Sequence, residues 1–347
     1  MATINTLDIC KMTVQSLADV AAQNYPVLGR EKAGFMESLV SDYNRSGFEQ
    51  INLDFNDGKE KKSIIRYLQN GDPDAISTDC STTSCDAGTE EVYKDQVVSI
   101  TKCLTSPVIT LTKAQLRQYC EGTAEVRAKM IMRHMNNFMQ RLDKELLTLA
   151  LAGAGNFYNG TPGGVAGPTN VNLLNIDGGG KESADYAGEI DIMQQFEYQG
   201  FNGAPIMVGA GKLDRFAKYK QIGCCNQWGQ NIAEIGAWAY YWDKNTETVL
   251  GADEFLSYAP GAMQMLTFNE NKGDFRVEHE HFVETTMIDP VTGLELDFEM
   301  NYDHCNKTMG MLFRLKYDLW IPPTNLFAVT DPRSGTNRIL NWKATVS

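Results

Sequence analysis

The sequence contains no uninterrupted apolar run approaching the roughly eighteen residues that cross a bilayer as a helix, so a membrane role is not expected. Its first twelve residues, MATINTLDICKM, lack a basic stretch followed by an apolar one. No secretory signal is therefore expected, and the chain is expected to be made in the cytosol and to stay soluble. Positive charge is in deficit: 31 Lys and Arg against 44 Asp and Glu leave a net charge of -13. That balance argues against a generic nucleic-acid binder, which gains affinity by displacing counterions with cations. Histidine is scarce, at four residues, so a Ser-His-Asp or Cys-His machine has few places to sit, and no G-x-S-x-G is present. The eight cysteines, at 10, 80, 85, 103, 120, 224, 225 and 305, show no paired short spacing of a zinc module. In a reducing compartment they are expected as free thiols, mostly buried as small apolar residues. Cys80 and Cys85 can close a loop disulfide only after reaching an oxidising medium.

What is present is the composition of a folded protein. With 347 residues, 43% hydrophobic and 22% charged, the chain can build one large domain or two ordinary ones. Thr112 to Gly153 reads as one helix of about forty residues, about three times the usual length. Thr112 and Gln115 have capping-box spacing. Apolar residues recur in steps of three and four from Leu116 through Met130, Ile131, Met135, Phe138, Met139, Leu142, Leu146 and Leu149 to Ala150. Gly153 and Gly155 supply the stop, and Gly122 is the point where a bend is expected. From Lys113 to Glu145 seven cations oppose four acids, a local +3 on an acidic chain.

Ahead of that helix, residues 1–47 read as an arm with short helical pieces at 13–22 and 32–43. Lys62–Leu68 and Val92–Leu104 read as the two strands of a long hairpin. Between them, Asn70–Glu91 holds six acids and no Lys or Arg. Isolated hairpins are barely stable in water, so this one needs its own subunit or a neighbour to lie on. Behind the helix, Gly153–Gly180 packs nine glycines and two prolines into a loop. A helix with Tyr186, Ile190, Met193 and Phe196 as its apolar stripe is expected at 185–199. A strand at 204–208, a helix at 212–220 and strands at 237–242 and 255–258 follow. The tail is β: 281–288 and 294–302 flank an Asp289-Pro290-Val291-Thr292-Gly293 turn, and 311–321 alternates apolar with charged residues. The expected fold class is α+β, with that sheet packed against the long helix.

Two patterns invite chemistry. Gly209-Ala210-Gly211-Lys212, between strand and helix, resembles a phosphate-cradling turn, whose amides would meet an anion. The dinucleotide fingerprint fails at Asp214, however, and Leu213 stands where a P-loop needs Ser or Thr. A tight strand-to-helix turn accounts for it. His279 and His281 would project from one face of a strand and are the metal candidates, while Glu278, Glu280 and Glu284 beside them read equally as a solvated edge. No catalytic residue, resident metal or cofactor is assigned.

The run from Gly203 to Phe268 resembles the corresponding part of tailed-phage major capsid proteins. The resemblance is carried by APGAMQMLTFN at 259–269 and by the strand–GxG–helix at 204–220. The order arm, hairpin, long helix, compact middle and late sheet is similar to the Hong Kong phage-type major capsid fold. On that resemblance 1–47 is the N-terminal arm, 48–111 the extended loop, 112–153 the spine helix, 154–269 the axial domain, and 270–347 the peripheral-domain sheet with a C-terminal tail. It implies a non-enzymatic virion protein, assembled in the host cytoplasm from pentamers and hexamers into an icosahedral shell around double-stranded DNA. Portal, scaffold and decoration proteins are the further partners implied, and the DNA would be held non-specifically. Lys59, Lys61, Lys62 and Arg66 then offer assembly contacts complementary to Asp72, Asp74, Asp79, Asp86, Glu90 and Glu91. The alternatives are an encapsulin-like cage around an enzyme cargo, and a cytosolic nucleotide-dependent enzyme using the 209–212 turn.

Overall fold

The computed structural model describes residues 33–43, 49–53, 61–68, 93–112, 123–154, 168–198, 201, 203–223, 239–270, 276–279, 282–289, 292–303, 308–321 and 338–347. In chain order the described elements begin with α1 (Gly34–Tyr43), β1 (Glu49–Leu53), β2 (Lys61–Leu68), β3 (Tyr93–Ile100), β4 (Lys102–Thr105), β5 (Ile109–Thr112) and α2 (Thr123–Gly153). There follow β6 (Thr169–Ile176), β7 (Glu182–Ala184), α3 (Tyr186–Tyr198), β8 (Ile206–Gly209), α4 (Gly211–Gly223), β9 (Ala239–Trp242), α5 (Asn245–Val249) and β10 (Glu254–Tyr258). The last are β11 (Gln264–Phe268), β12 (Arg276–His279), β13 (Phe282–Ile288), β14 (Glu295–Asp303), β15 (Thr308–Trp320) and β16 (Ile339–Val346). The described residues fall into two compact units, one from 100–143 and 267–318, the other from 34–99, 144–266 and 319–347.

In the first unit, β15 organises a sheet in which β15, β14, β13 and β12 follow one another antiparallel. Its alternation buries Met309, Met311, Phe313, Leu315 and Tyr317 and leaves Leu312, Arg314 and Lys316 half-exposed. Along its other edge β15 pairs with β5 over 308–311 and with β4 over 314–317. Pro107 lies in the gap between those two strands, and Ser106 closes the ladder there. Its N–H donates to the Phe313 carbonyl and its Oγ accepts the Phe313 N–H, both at 2.8 Å. The β13–β14 turn closes as its residues require: Asp289 Oδ2 accepts the Thr292 N–H at 3.0 Å, and Gly293 takes φ 74°. Of α2, Ile131, Met135, Phe138, Met139 and Leu142 belong to this unit and are buried.

In the second unit a six-stranded sheet has the order β7-β6-β16-β10-β8-β9. β16 is central, parallel to β6 and antiparallel to β10. Its Trp342 is buried, with the indole N–H donating to Ser257 Oγ at 2.7 Å, so the ring's one polar atom is satisfied. Asp185 caps α3 by accepting the Ala187 N–H at 2.9 Å. A separate three-stranded sheet, β1-β2-β3, belongs to the same unit. Ser63 and Ile65 of β2 are buried, and Gln96 of β3 accepts the Trp320 indole N–H at 3.1 Å.

Several expectations need correction. Thr112 is not a helix cap: it ends β5 opposite Thr308, and the described helix is the 31-residue α2 starting at Thr123. Residues 113–122, including the expected bend at Gly122, lie outside the described residues. The hairpin has a third strand, β1, and its return strand ends at Ile100. After the break at Thr101, Lys102–Thr105 joins the β15 sheet. The Gly153–Gly180 loop contains β6, whose Val171, Leu173 and Leu174 are buried. Residues 339–346, read as a tail of the antiparallel sheet, instead fill the centre of the second unit's sheet, where open edges on β6 and β10 require a strand. The expected helix at 13–22 lies outside the described residues. Cys103, the cysteine among the described residues, is exposed because it sits at an outward position of β4.

Candidate assembly surfaces

Helix α1 falls within the segment expected as a free arm, yet its own chain covers it. Ala33, Phe35, Met36 and Leu39 are buried, and so are the polar Ser38 and Asp42. Burying such groups is unfavourable without partners, and each finds one more than 200 residues away. Asp243 Oδ2 accepts the Phe35 N–H at 3.0 Å, placing a carboxylate at the positive end of the helix. Ser38 Oγ accepts from the Tyr258 hydroxyl at 2.7 Å and donates to the Phe35 carbonyl at 2.6 Å. Asp42 Oδ2 accepts the Gly261 N–H at 2.7 Å. Burial drives the Tyr258 hydroxyl well above the usual phenol range, so it stays protonated and donates. Sequence reasoning missed this network. The only local signal is Asp243 standing two residues before Asn245, whose N–H it also accepts at 2.8 Å.

The 209–212 turn is already occupied. Gly211 adopts φ 57°, which glycine alone takes without strain. The carboxylate of Asp253 accepts the Lys212 N–H at 3.2 Å and pairs with its ammonium at 2.7 Å. One side chain thus neutralises both groups that a phosphate would need. Beside it the Tyr240 hydroxyl lies 3.2 Å from Asp214 and 3.3 Å from the Gly209 carbonyl. Burial, then the Asp214 charge, pushes that phenol far up, so it stays protonated near neutral pH.

Of the expected assembly contacts, Lys61 and Lys62 fall on β2, Lys62 with a half-buried side chain. Arg66 pairs with Asp95 of β3 at 2.9 and 3.3 Å, so its partner is in its own chain. The fork-to-carboxylate geometry holds the exposed Asp95 carboxyl below its usual value. Lys59, Asp72, Asp74, Asp79, Asp86, Glu90 and Glu91 lie outside the described residues. His279 falls on β12, and His281 lies outside the described residues. Among the described residues, no group of three or more His, Cys, Asp or Glu is arranged to hold a metal ion. No described helix is long and apolar enough to cross a membrane.

No protein-family model matches the chain, and no curated protein matches it by sequence. Solved structures do match. The cyanophage A-1(L) capsid asymmetric unit superposes over 90% of this chain and 92% of its own, at 9% identity and a TM-score of 0.51. The capsid of Ralstonia phage GP4 aligns over 84% and 85%, at 12% identity and a TM-score of 0.42. The mature capsid of bacteriophage PhiM1 aligns over 83% of each chain, at 12% identity and a TM-score of 0.39. The cyanophage match carries the assignment: the chain has the Hong Kong phage-type capsid fold, of class α+β, as the resemblance in residues 203–268 implied.

Proposed function

We propose that this chain is a major capsid protein, self-assembling as pentamers and hexamers into the icosahedral shell that encloses the double-stranded DNA of a tailed phage. The observation that supports this reading is the near-complete coverage, in both directions, of the cyanophage A-1(L) capsid fold. Its role is structural rather than enzymatic. In this reading the β1-β2-β3 sheet is the extended loop, α2 the spine helix, the six-stranded sheet the axial domain and the β15 sheet the peripheral domain. The lysines at 59, 61 and 62 and the acids at 72–91 meet across subunits, and portal, scaffold and decoration proteins complete the virion in the host cytoplasm. The test is particle size of the purified full-length protein by light scattering and negative-stain microscopy, with nucleic-acid content measured on the same sample. Closed shells tens of nanometres across, or regular capsomer rings, are expected. A monodisperse monomer at every concentration and salt would overturn the reading, and shells that package an enzyme instead of DNA would redirect it to a cargo cage.

A further inference from the structure

Helix α3 carries two apolar stripes; its own chain covers one of them and meets the other where the Tyr186 ring stands edge-on to Phe216 of α4, 6.2 Å between centroids. Gly188, Ile192, Gln195 and Phe196 are buried. At about 100° per residue, Ile190 stands opposite that stripe, with Tyr186 and Met193 beside it at i−4 and i+3. Ile190 is 66% exposed and Tyr186 50% exposed, so this second stripe faces outward. Single exposed apolar residues are ordinary, but an outward isoleucine flanked at helical spacing by tyrosine and methionine forms a connected patch.

Charge selects the occupant. Helix α3 contains Glu189, Asp191 and Glu197 and no Lys or Arg. Glu189 is spent within the chain on Lys220 of α4, while Asp191 and Glu197 are exposed. Helix α4 has the opposite balance, with Lys212, Arg215, Lys218 and Lys220 against Asp214. Arg215 and Lys218 lie at its outer pole, with side chains 52% and 65% exposed. Each is paired within the chain, to the half-buried Glu182 and Asp214, and its exposed side keeps further N–H donors for a second partner. Two copies meeting α3 to α3 would set like carboxylates together, whereas α3 against α4 pairs opposite charges around an apolar centre. Such a contact uses two different patches, and heterologous contacts of this kind form a ring where the rotation between copies closes and an open filament where it does not.

We propose that the Tyr186–Ile190–Met193 face of α3 is the seat for the outer face of α4 from a second copy of this chain, joining copies head to tail around a ring. This rests on the self-assembly reading above. The test uses the full chain carrying Ile190→Cys and Lys218→Cys together, assembled, mildly oxidised and run on a non-reducing gel. A ladder of covalent multimers rising to the closed ring is expected. Neither single variant should ladder beyond the unsubstituted chain, whose eight cysteines, the exposed Cys103 among them, set the background. Dimers from Ile190→Cys alone, an intrachain cross-link, or no new band from the pair would each overturn the proposal. In parallel, Ile190→Lys should leave circular dichroism and melting unchanged and weaken association at least about tenfold, the effect of removing a central apolar anchor. If the variants assemble as the unsubstituted chain does, this face is wrong while the shell reading stands. If the unsubstituted chain stays monomeric, both fall.

Discussion

Asp243 accepts the backbone N–H of Phe35 at 3.0 Å, tying the start of α1 to the end of β9 across 208 residues of chain. The other carboxylate oxygen accepts the Asn245 N–H at 2.8 Å, so one buried side chain serves the entry to two helices. Replacing it with alanine orphans both donors in the interior. Asp243→Ala is therefore expected to lower unfolding stability by about 2–3 kcal/mol, the scale for charge-assisted bonds lost from a buried site. Urea denaturation followed by tryptophan fluorescence reads the change, and limited proteolysis should then cut near α1. An unchanged midpoint would show that α1 is held by its apolar face alone.

A close approach of backbone explains a second position. A Cβ added at Gly188 would collide with the Asn172 carbonyl oxygen, because α3 lies directly on β6 there. Gly188→Ala must push the helix off the strand and should cost about 1–3 kcal/mol. At Gly178, where nothing lies within 4 Å of the added carbon, the same exchange should change stability by no more than about 0.5 kcal/mol. Thermal melts of the two variants side by side make the comparison, and equal losses would refute the packing argument.

Elements whose partners are near in sequence were legible, and those completed from afar were not. The alternation of 311–321 gave β15 because one face is core, and the Asp289–Gly293 turn fixed the β13–β14 hairpin locally. The stripe from Ile131 to Ala150 likewise matched the buried face of α2. β6 was hidden inside a glycine-rich run, and its adjacent buried Leu173 and Leu174 break the alternation that marks a half-buried strand. β16 completes a parallel pair with a segment some 170 residues earlier, a pairing no local pattern announces. In α3 the periodicity was right but could not say which of two stripes is covered: Phe196 is, Tyr186 and Ile190 are not. At the candidate site, Arg66 was legible by its charge, whereas its pairing with Asp95 on the neighbouring strand depends on the β2–β3 alignment that no local pattern announces.

The occupied turn at 209–212 yields a prediction about ligands. Because the Asp253 carboxylate already holds the Lys212 amide and ammonium, a nucleotide phosphate would have to displace an anion that is covalently part of the chain. ATP or NAD at about 1 mM should leave the melting temperature unmoved. A ligand present at a hundred times its dissociation constant would add about 2.7 kcal/mol, an upward shift of several degrees. Such a shift would restore the turn as a binding site.

The Arg66–Asp95 pair bears on pH. Hydrogen bonding to the guanidinium favours the ionised carboxyl, so Asp95 titrates lower in the folded chain than in the unfolded one, where about 3.9 is usual. A depressed folded value means that the pair's contribution is complete above the unfolded value and is lost as pH falls through the folded one. Both groups are exposed, so the contribution is small, is screened by salt and belongs to the β2–β3 pairing rather than to the core. Arg66→Ala should raise the Asp95 midpoint toward about 3.9, read by carbon-detected magnetic resonance of the labelled carboxyl. It should leave stability near neutral pH almost unaltered. A midpoint that does not move on removing Arg66 would mean the pair does not form in solution.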